Sequence, residues 1–198
     1  MYKLTILLLV LSLMLQGCLV GAFSKAQLLF YSSVSQAEFR TWALSLKRNN
    51  IYDTLKAFHK FGYDNMHWVE DSWNGALDYP RDPLIVLKRL RGDCDDYSSL
   101  FANGLTEIGI PAIMLSVAYK KDGKDVGHTV CLVKKDDKHY YHISNWTYKY
   151  SDGSYKGIWG PYSTIKEVAK SIGGNTVKYY IARDPKNFKV ISKVKYNK

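Results

Sequence analysis

The sequence predicts an α+β fold, in which N-terminal helices are followed by an antiparallel β-sheet. Over residues 19–60, apolar residues recur at three- and four-residue intervals, the spacing of one helix face. From residue 112 the period changes to two, which is typical of half-buried strands joined by short turns such as residues 120–125. With 198 residues, of which 46% are hydrophobic, the chain is large enough for one domain and too small for two ordinary ones.

Local signals divide the helical part. Ser35 followed by Glu38 is a capping box and predicts the start of a helix that runs through Lys47. Residues 62–83 are rich in aromatic residues and prolines and predict turns rather than regular structure. A short helix is then predicted to begin at Pro83.

The part of the chain that carries the chemistry begins with a second predicted helix, from Asp93 to about Ile108, which Gly109 and Pro111 end. Strands follow it, interrupted by a Gly-rich loop and one short helix. The predicted strands are residues 112–119, 127–134, 139–146, 176–182 and 188–194, and the short helix is residues 164–171.

The N-terminal residues have the pattern of an export signal. Residues 4–15 are nearly all apolar, a run too short to span ~30 Å of hydrocarbon at ~1.5 Å per residue. The run ends in Leu-Gln-Gly-Cys, which resembles a bacterial lipoprotein signal, so we expect residues 1–17 to be removed and Cys18 to be lipidated. An uncleaved anchor over residues 4–23 stays open. Both readings predict an exported domain, residues 18–198, held at a membrane of the cell envelope.

The charge balance favours an anionic neighbour. Lysine and arginine outnumber aspartate and glutamate by 28 to 18, a formal net charge of +10. Export, and the lack of a Gly-rich phosphate-binding loop, argue against nucleic acid as the partner. The histidines and cysteines have none of the spacings of a zinc site, so neither a metal nor another cofactor is predicted.

Three cysteines are too few for a disulfide framework. If Cys18 carries lipid, Cys94 and Cys131 remain. Cys131 lies among Thr, Val and Leu on a predicted strand, and we expect it to be a buried apolar thiol. Cys94 is therefore the candidate for chemistry.

Cys94 falls in the first turn of the helix that Asp93 caps. There the free backbone N–H groups and the helix dipole favour a thiolate. The charges of Asp95 and Asp96 act in the opposite direction and raise the thiol pKa. A base is therefore still needed.

His128 is the candidate base. On its predicted strand it shares one face with Val130, while Cys131 lies on the other. The following predicted strand, residues 139–146, brings Asn145 beside His128, where its carbonyl can accept a hydrogen bond from the imidazole and fix its tautomer. A histidine satisfied within the core remains the alternative.

These motifs together resemble the transglutaminase-like cysteine peptidase superfamily. They are GDC with acidic residues and an aromatic after it, GIPA, GH in a strand, and an aromatic strand that ends in a third polar residue; DYPRDP upstream is similar to a segment of bacterial members. The resemblance covers residues 78–146 and implies a papain/transglutaminase-like core. It implies Cys94 as nucleophile, His128 as general base and then acid, and Asn145 in the orienting position where Asp is usual.

The same resemblance implies a donor for the oxyanion, often an upstream tryptophan. Pro80 stands where bacterial relatives tend to carry that tryptophan. Trp68 and Trp73 are the candidates to replace it, beside the backbone N–H of Cys94.

We therefore expect a membrane-tethered thiol enzyme that acts on amide bonds through a thioester, either as a peptidase or amidase or as an acyl transferase. Peptides or proteins of the envelope are the expected partners. Two alternatives stay open: a catalytically silent member that binds such peptides or proteins in the same cleft, and a basic adaptor that contacts anionic polymers.

Overall fold

The computed structural model of the chain describes residues 33–69, 80–149 and 155–196. The predicted α+β class is confirmed, with N-terminal helices and the Cys94-bearing helix packed on an antiparallel sheet. The helices are α1 (Gln36–Leu46), α2 (Ile51–Asn65), α3 (Pro83–Arg89), α4 (Cys94–Glu107) and α5 (Ile165–Gly173). The strands are β1 (His67–Trp68), β2 (Arg91–Gly92), β3 (Ala112–Lys121), β4 (Lys124–Asp136), β5 (His139–Lys149), β6 (Tyr155–Tyr162), β7 (Val177–Arg183) and β8 (Val190–Lys195).

Local caps determine where the helices begin. Before α1, the hydroxyl of Ser35 accepts the N–H of Glu38 at 3.2 Å, and the Glu38 carboxylate accepts the N–H of Ser35 at 2.7 Å. Before α3, Asp82 accepts the N–H of Leu84 at 2.9 Å, and Pro83 occupies the first helical position. The capping box and the proline start predicted from the sequence are confirmed.

The main sheet has six strands in the order β6-β5-β4-β3-β7-β8, and every neighbouring pair is antiparallel. β3 and β4 form a long hairpin closed by Asp122 and Gly123, whose φ angles are 51° and 78°. Positive φ at both central residues is typical of the tight turn that matches the twist of paired strands. The two central strands of the sheet therefore come from one hairpin directly after α4.

β6 is a strand that the sequence did not predict, because Gly157, Gly160 and Pro161 suggested a loop. The segment pairs with β5, with Ile158 opposite Ile143 in the register. Ile158 is buried in the core. Hydrogen bonding to β5 and burial of this side chain outweigh the local preference of glycine and proline for turns.

Two helical layers cover the two faces of the sheet. The core beneath α4 includes Cys131 and Val133 of β4, together with apolar residues of α1 and α2. The core beneath α5 includes Val130 and Leu132 of the same strand. Alternate residues of β4 therefore face different helices, and this alternation determines where each functional side chain lies.

The predicted signal and the lipid-bearing Cys18 fall in residues 1–32, outside the described residues. In the described part of the chain, no helix has both the length and the apolarity that crossing a membrane requires.

The contact between α2 and α4 is a test of how tightly the core is packed. A Cβ at Gly62 would lie 2.5 Å from Cζ of Phe101, so Gly62→Ala forces the ring out of its place. We expect a loss of about 1–3 kcal/mol in the free energy of unfolding, measured by urea denaturation, despite the better helix propensity of alanine. Gly127→Ala is the control, since nothing lies within 4 Å of its added Cβ. Equal stability of the two variants would contradict this description of the core.

Candidate active site

Cys94 is the first residue of α4. Asp93 precedes it as the N-cap and accepts the N–H of Asp95 at 3.2 Å. Cys94 is a reduced cysteine and is half-buried. This is the position at the positive end of the helix dipole that the sequence predicted, and it favours the thiolate form.

The chain before α3 is tied to the first turns of α4 by a buried ion pair. The guanidinium of Arg81 pairs with the carboxylate of Asp96, and the Arg81 N–H donates to the other oxygen of the same carboxylate at 2.8 Å. Ser99 donates to the carbonyl of Arg81 at 3.1 Å. A Cβ at Gly92 would collide with the Asp96 side chain. These contacts account for the glycine of GDC and for the arginine of DYPRDP.

Three buried carboxylates surround the start of α4. One oxygen each of Asp93, Asp95 and Asp96 lies within 4.8 Å of the others. Such a trio has the donor atoms for a hard cation. Arg81, however, already brings a positive charge to Asp96, and it offsets part of the negative charge that opposes ionisation of Cys94.

Cys94 opens onto a cavity of about 230 Å³ between the start of α4 and the sheet. Its lining includes Cys94, Asp95, Ser116, His128, Thr129 and Arg183. The structure thus places the predicted nucleophile and the predicted base at one cavity. It does not place Asn145 there.

His128 is 3% exposed, and its Nε2 lies 2.8 Å from Oγ of Ser144. Burial, with a smaller effect of the nearby His142, lowers the pKa of His128 to about 3. The imidazole is therefore neutral at physiological pH. Its Nε2 is engaged with Ser144, and this hydrogen bond fixes the orientation of the ring.

The predicted partner of His128, Asn145, is displaced by the register of β4 and β5. Cys131 lies opposite Ile143 and Leu132 opposite His142, so even-numbered residues of both strands share one face. His128 therefore shares its face with Ser144, and Asn145 lies on the other. The orienting hydrogen bond goes to Ser144 instead of Asn145.

Asn145 lines a second cavity, of about 220 Å³, together with His59, Trp68 and Tyr97. Its Oδ1 is buried and has no hydrogen-bond partner in the described part of the chain. The amide thus belongs to the α2 and α4 side of the sheet, where Tyr97 donates to the carbonyl of Met66 at 3.0 Å.

Cys94 and His128 line the same cavity but belong to different sides of the sheet. Cys94 belongs to α4, which packs on the face of the sheet that carries Cys131. The Cα–Cβ bond of His128 points to the α5 face, which it shares with Val130. Gly127 also lines the cavity, and the space around its Cα is open. Gly127 therefore leaves this part of the cavity wall without a side chain.

The sequence offered Trp68 and Trp73 as donors for the oxyanion. Trp68 is 49% exposed and lines the cavity of Asn145 rather than that of Cys94. Trp73 lies outside the described residues. The backbone N–H of Cys94, in the first turn of α4, remains the donor that the helix itself supplies.

Cys131 is fully buried under α4, as predicted. Burial raises the pKa of its thiol, so it stays protonated and inert. Ser144 is the hydrogen-bond partner of His128 that the sequence did not predict. The period of two along the strands could have placed it on the face of His128, but only the register between the strands selects it over its neighbour.

Comparison with known proteins gives likenesses of fold outline. No protein-family model and no curated protein sequence matches the chain. Calcium-bound LapG of Legionella pneumophila has a TM-score of 0.49 and 15% identity, covering 81% of this chain and 82% of LapG. The EGTA-treated form of LapG has a TM-score of 0.48 and 15% identity, covering 81% of this chain and 78% of LapG. A structure described as a TGase has a TM-score of 0.41 and 16% identity, covering 71% of this chain and 36% of its own. At these values, the likeness assigns neither an activity nor a ligand to this chain.

Two buried histidines make stability depend on pH. Burial lowers the pKa of His59 to about 4 and that of His128 to about 3. The unfolded chain binds protons at these groups below pH ~6.5, whereas the folded chain does not. Above pH ~6.5 both imidazoles are neutral in the folded and the unfolded chain, so they cost no stability. As the pH falls from ~6.5 towards the folded pKa, we expect each histidine to lower the free energy of unfolding by about 1.4 kcal/mol per pH unit.

Urea unfolding between pH 7 and pH 5 measures this slope, and His59→Gln should remove about half of it. An unfolding free energy that stays constant over this range would contradict the buried, neutral state of both imidazoles.

Proposed function

We propose that this chain is a thiol enzyme that acts on amide bonds, with Cys94 as nucleophile and His128 as base. One observation carries the proposal: Cys94, at the N-terminus of α4, lines one cavity with a buried, neutral His128 whose Nε2 is held by Ser144. A nucleophile, a base and a group that orients the base are the three parts that covalent catalysis requires.

The reaction proceeds in two stages, acylation of Cys94 and then attack on the thioester. The Cys94 thiol gives its proton to the imidazole of His128, and the thiolate attacks the amide carbonyl. The backbone N–H of Cys94 stabilises the resulting oxyanion. The C–N bond then breaks, the leaving amine takes the proton from the imidazolium, and a thioester remains on Cys94. Water or a second amine attacks the thioester and returns the thiol, which gives hydrolysis or acyl transfer respectively.

The environment of His128 limits this reaction. A base with a pKa of about 3 is a weak acceptor, and Ser144 stabilises an imidazolium less than a carboxylate does. The same observation favours a second candidate, a catalytically silent member of this fold that binds peptides or proteins of the envelope in the Cys94 cavity. Reactivity of the thiol separates the two candidates.

We also propose that the enzyme is exported and tethered to the membrane by lipid on Cys18. The apolar run before Cys18 and the net charge of +10 support this placement, since a basic domain is attracted to anionic lipid. Its substrates would then be peptides or proteins of the cell envelope.

In cells fed an alkyne-tagged fatty acid, the wild type should carry the tag and Cys18→Ser should not. Equal tagging of both proteins would contradict the anchor.

The reactivity of Cys94 is the first test of the enzyme. Purified protein is incubated with iodoacetamide from pH 5 to pH 9, and alkylation is followed by intact mass and peptide mapping. We expect alkylation at Cys94 in the folded protein, none at Cys131, and a rate at neutral pH that falls about ten-fold in His128→Ala, because the thiol loses its proton acceptor. Circular dichroism is the control for folding of the variant. Alkylation that is indifferent to His128 would favour the silent candidate.

Ser144 and Asn145 form a matched pair of neighbours on opposite faces of β5. Ser144→Ala removes the hydrogen bond to Nε2, and we expect the rate of Cys94 alkylation at neutral pH to fall three- to ten-fold, as the loss of ~1 kcal/mol of orientation implies. Asn145→Ala should change this rate less than two-fold. The reverse order of effects would restore Asn145 as the orienting residue.

A further inference from the structure

The sheet side of the Cys94 cavity carries a fixed positive charge. Arg183 of β7 lines the cavity, and its Nη1 donates to the hydroxyl of Ser116 at 3.0 Å. The hydroxyls of Ser116 and Thr129 are in turn 3.0 Å apart. Three adjacent strands thus hold one guanidinium beside the cavity that Cys94 opens onto.

A second cation lies nearby. Tyr179 of β7 also lines the cavity and is 37% exposed. Nζ of Lys193, on the neighbouring strand β8, lies 5.9 Å from the centroid of the Tyr179 ring. The β7–β8 side of the cavity is therefore basic, while Asp95 supplies an acid on the α4 side.

We propose that Arg183 is a specificity-determining residue that binds a carboxylate of the substrate beside the amide that Cys94 attacks. The proposal rests on the proposed thiol chemistry and adds a substrate class: peptides or proteins with an acidic side chain or a terminal carboxylate next to the reacting bond. A guanidinium recognises a planar carboxylate by paired N–H donors, and charge-assisted bonds of this kind are about twice as strong as neutral ones.

The position of Arg183 suits this role because it is fixed before any ligand arrives. The bond to Ser116, itself beside Thr129, fixes the guanidinium against the sheet, so less side-chain entropy is lost on binding. Arg183 is also half-buried, and a partly desolvated cation interacts with an anion more strongly than an exposed one.

Two alkylating reagents that differ in charge test the proposal on the intact folded protein. Iodoacetate is an anion and iodoacetamide is its neutral analogue of nearly equal size, and each forms a C–S bond to Cys94 with loss of iodide. The rate constant for iodoacetate at Cys94 divided by that for iodoacetamide reports attraction of a carboxylate to the cavity. Both are followed by mass spectrometry at low ionic strength. Arg183→Gln should lower this ratio five- to ten-fold, and Arg183→Lys should keep most of it.

Arg40→Gln is the matched control. Arg40 lies on α1 and pairs with Glu107, the last residue of α4, about 20 Å from Cys94 at ~1.5 Å per helical residue. The Arg40→Gln variant loses the same charge as Arg183→Gln, but far from the cavity. Its ratio of iodoacetate to iodoacetamide rate constants should therefore stay within two-fold of the wild type.

The possible outcomes separate the two proposals. If iodoacetamide alkylates Cys94 in a His128-dependent manner but the ratio is unchanged in Arg183→Gln, the carboxylate site is overturned and the thiol enzyme stands. An equal fall in Arg40→Gln would reveal a general effect of net charge and would also overturn the site. If neither reagent reacts at Cys94, the proposed function fails, and the substrate class fails with it.

Discussion

The buried ion pair of Arg81 and Asp96 is the constraint on which the site depends. The Asp96 side chain is 1% exposed, and both of its oxygens are taken by groups of Arg81. Removing Arg81 would leave the buried charge of Asp96 uncompensated, which typically costs about 3–5 kcal/mol. Because Asp96 lies two residues after Cys94, the same pair fixes the direction in which α4 begins and therefore the position of the thiol.

That constraint also reconciles two opposing effects on Cys94. The helix N-terminus favours the thiolate, and the surrounding carboxylates oppose it. Arg81 cancels part of the opposition without touching the cavity itself. On the far side of the cavity, Arg183 supplies a second guanidinium, whose Nη1 donates to the hydroxyl of Ser116. The site thus lies between two arginines, one that completes the fold and one that we assign to the substrate.

Much of the fold followed from local signals in the sequence. The capping box at Ser35 and the glycine and proline after Ile108 defined helix ends because their effects are local. β6 was missed because its glycines and proline suggest turns, whereas pairing with β5 is a long-range contact. The position of Cys94 followed from the helix start, and that of His128 from its strand.

The choice between Ser144 and Asn145 could not be made from the sequence. A shift of one residue between β4 and β5 exchanges the two faces, and nothing local records that register. Arg183 was overlooked for the same reason, since β7 joins β3 across the sheet only after the intervening residues 122–176.

The edge strand β8 has a consequence for the behaviour of the molecule in a crowded environment. Val190 and Ile191 are more than half exposed, and the strand has β7 as its one partner in the described sheet. The unpaired N–H and C=O groups of such an edge can pair with a strand of another molecule. Lys193 and Lys195 follow in the same strand. A second copy of this edge would bring like charges face to face, so these lysines oppose self-association of the protein into fibres.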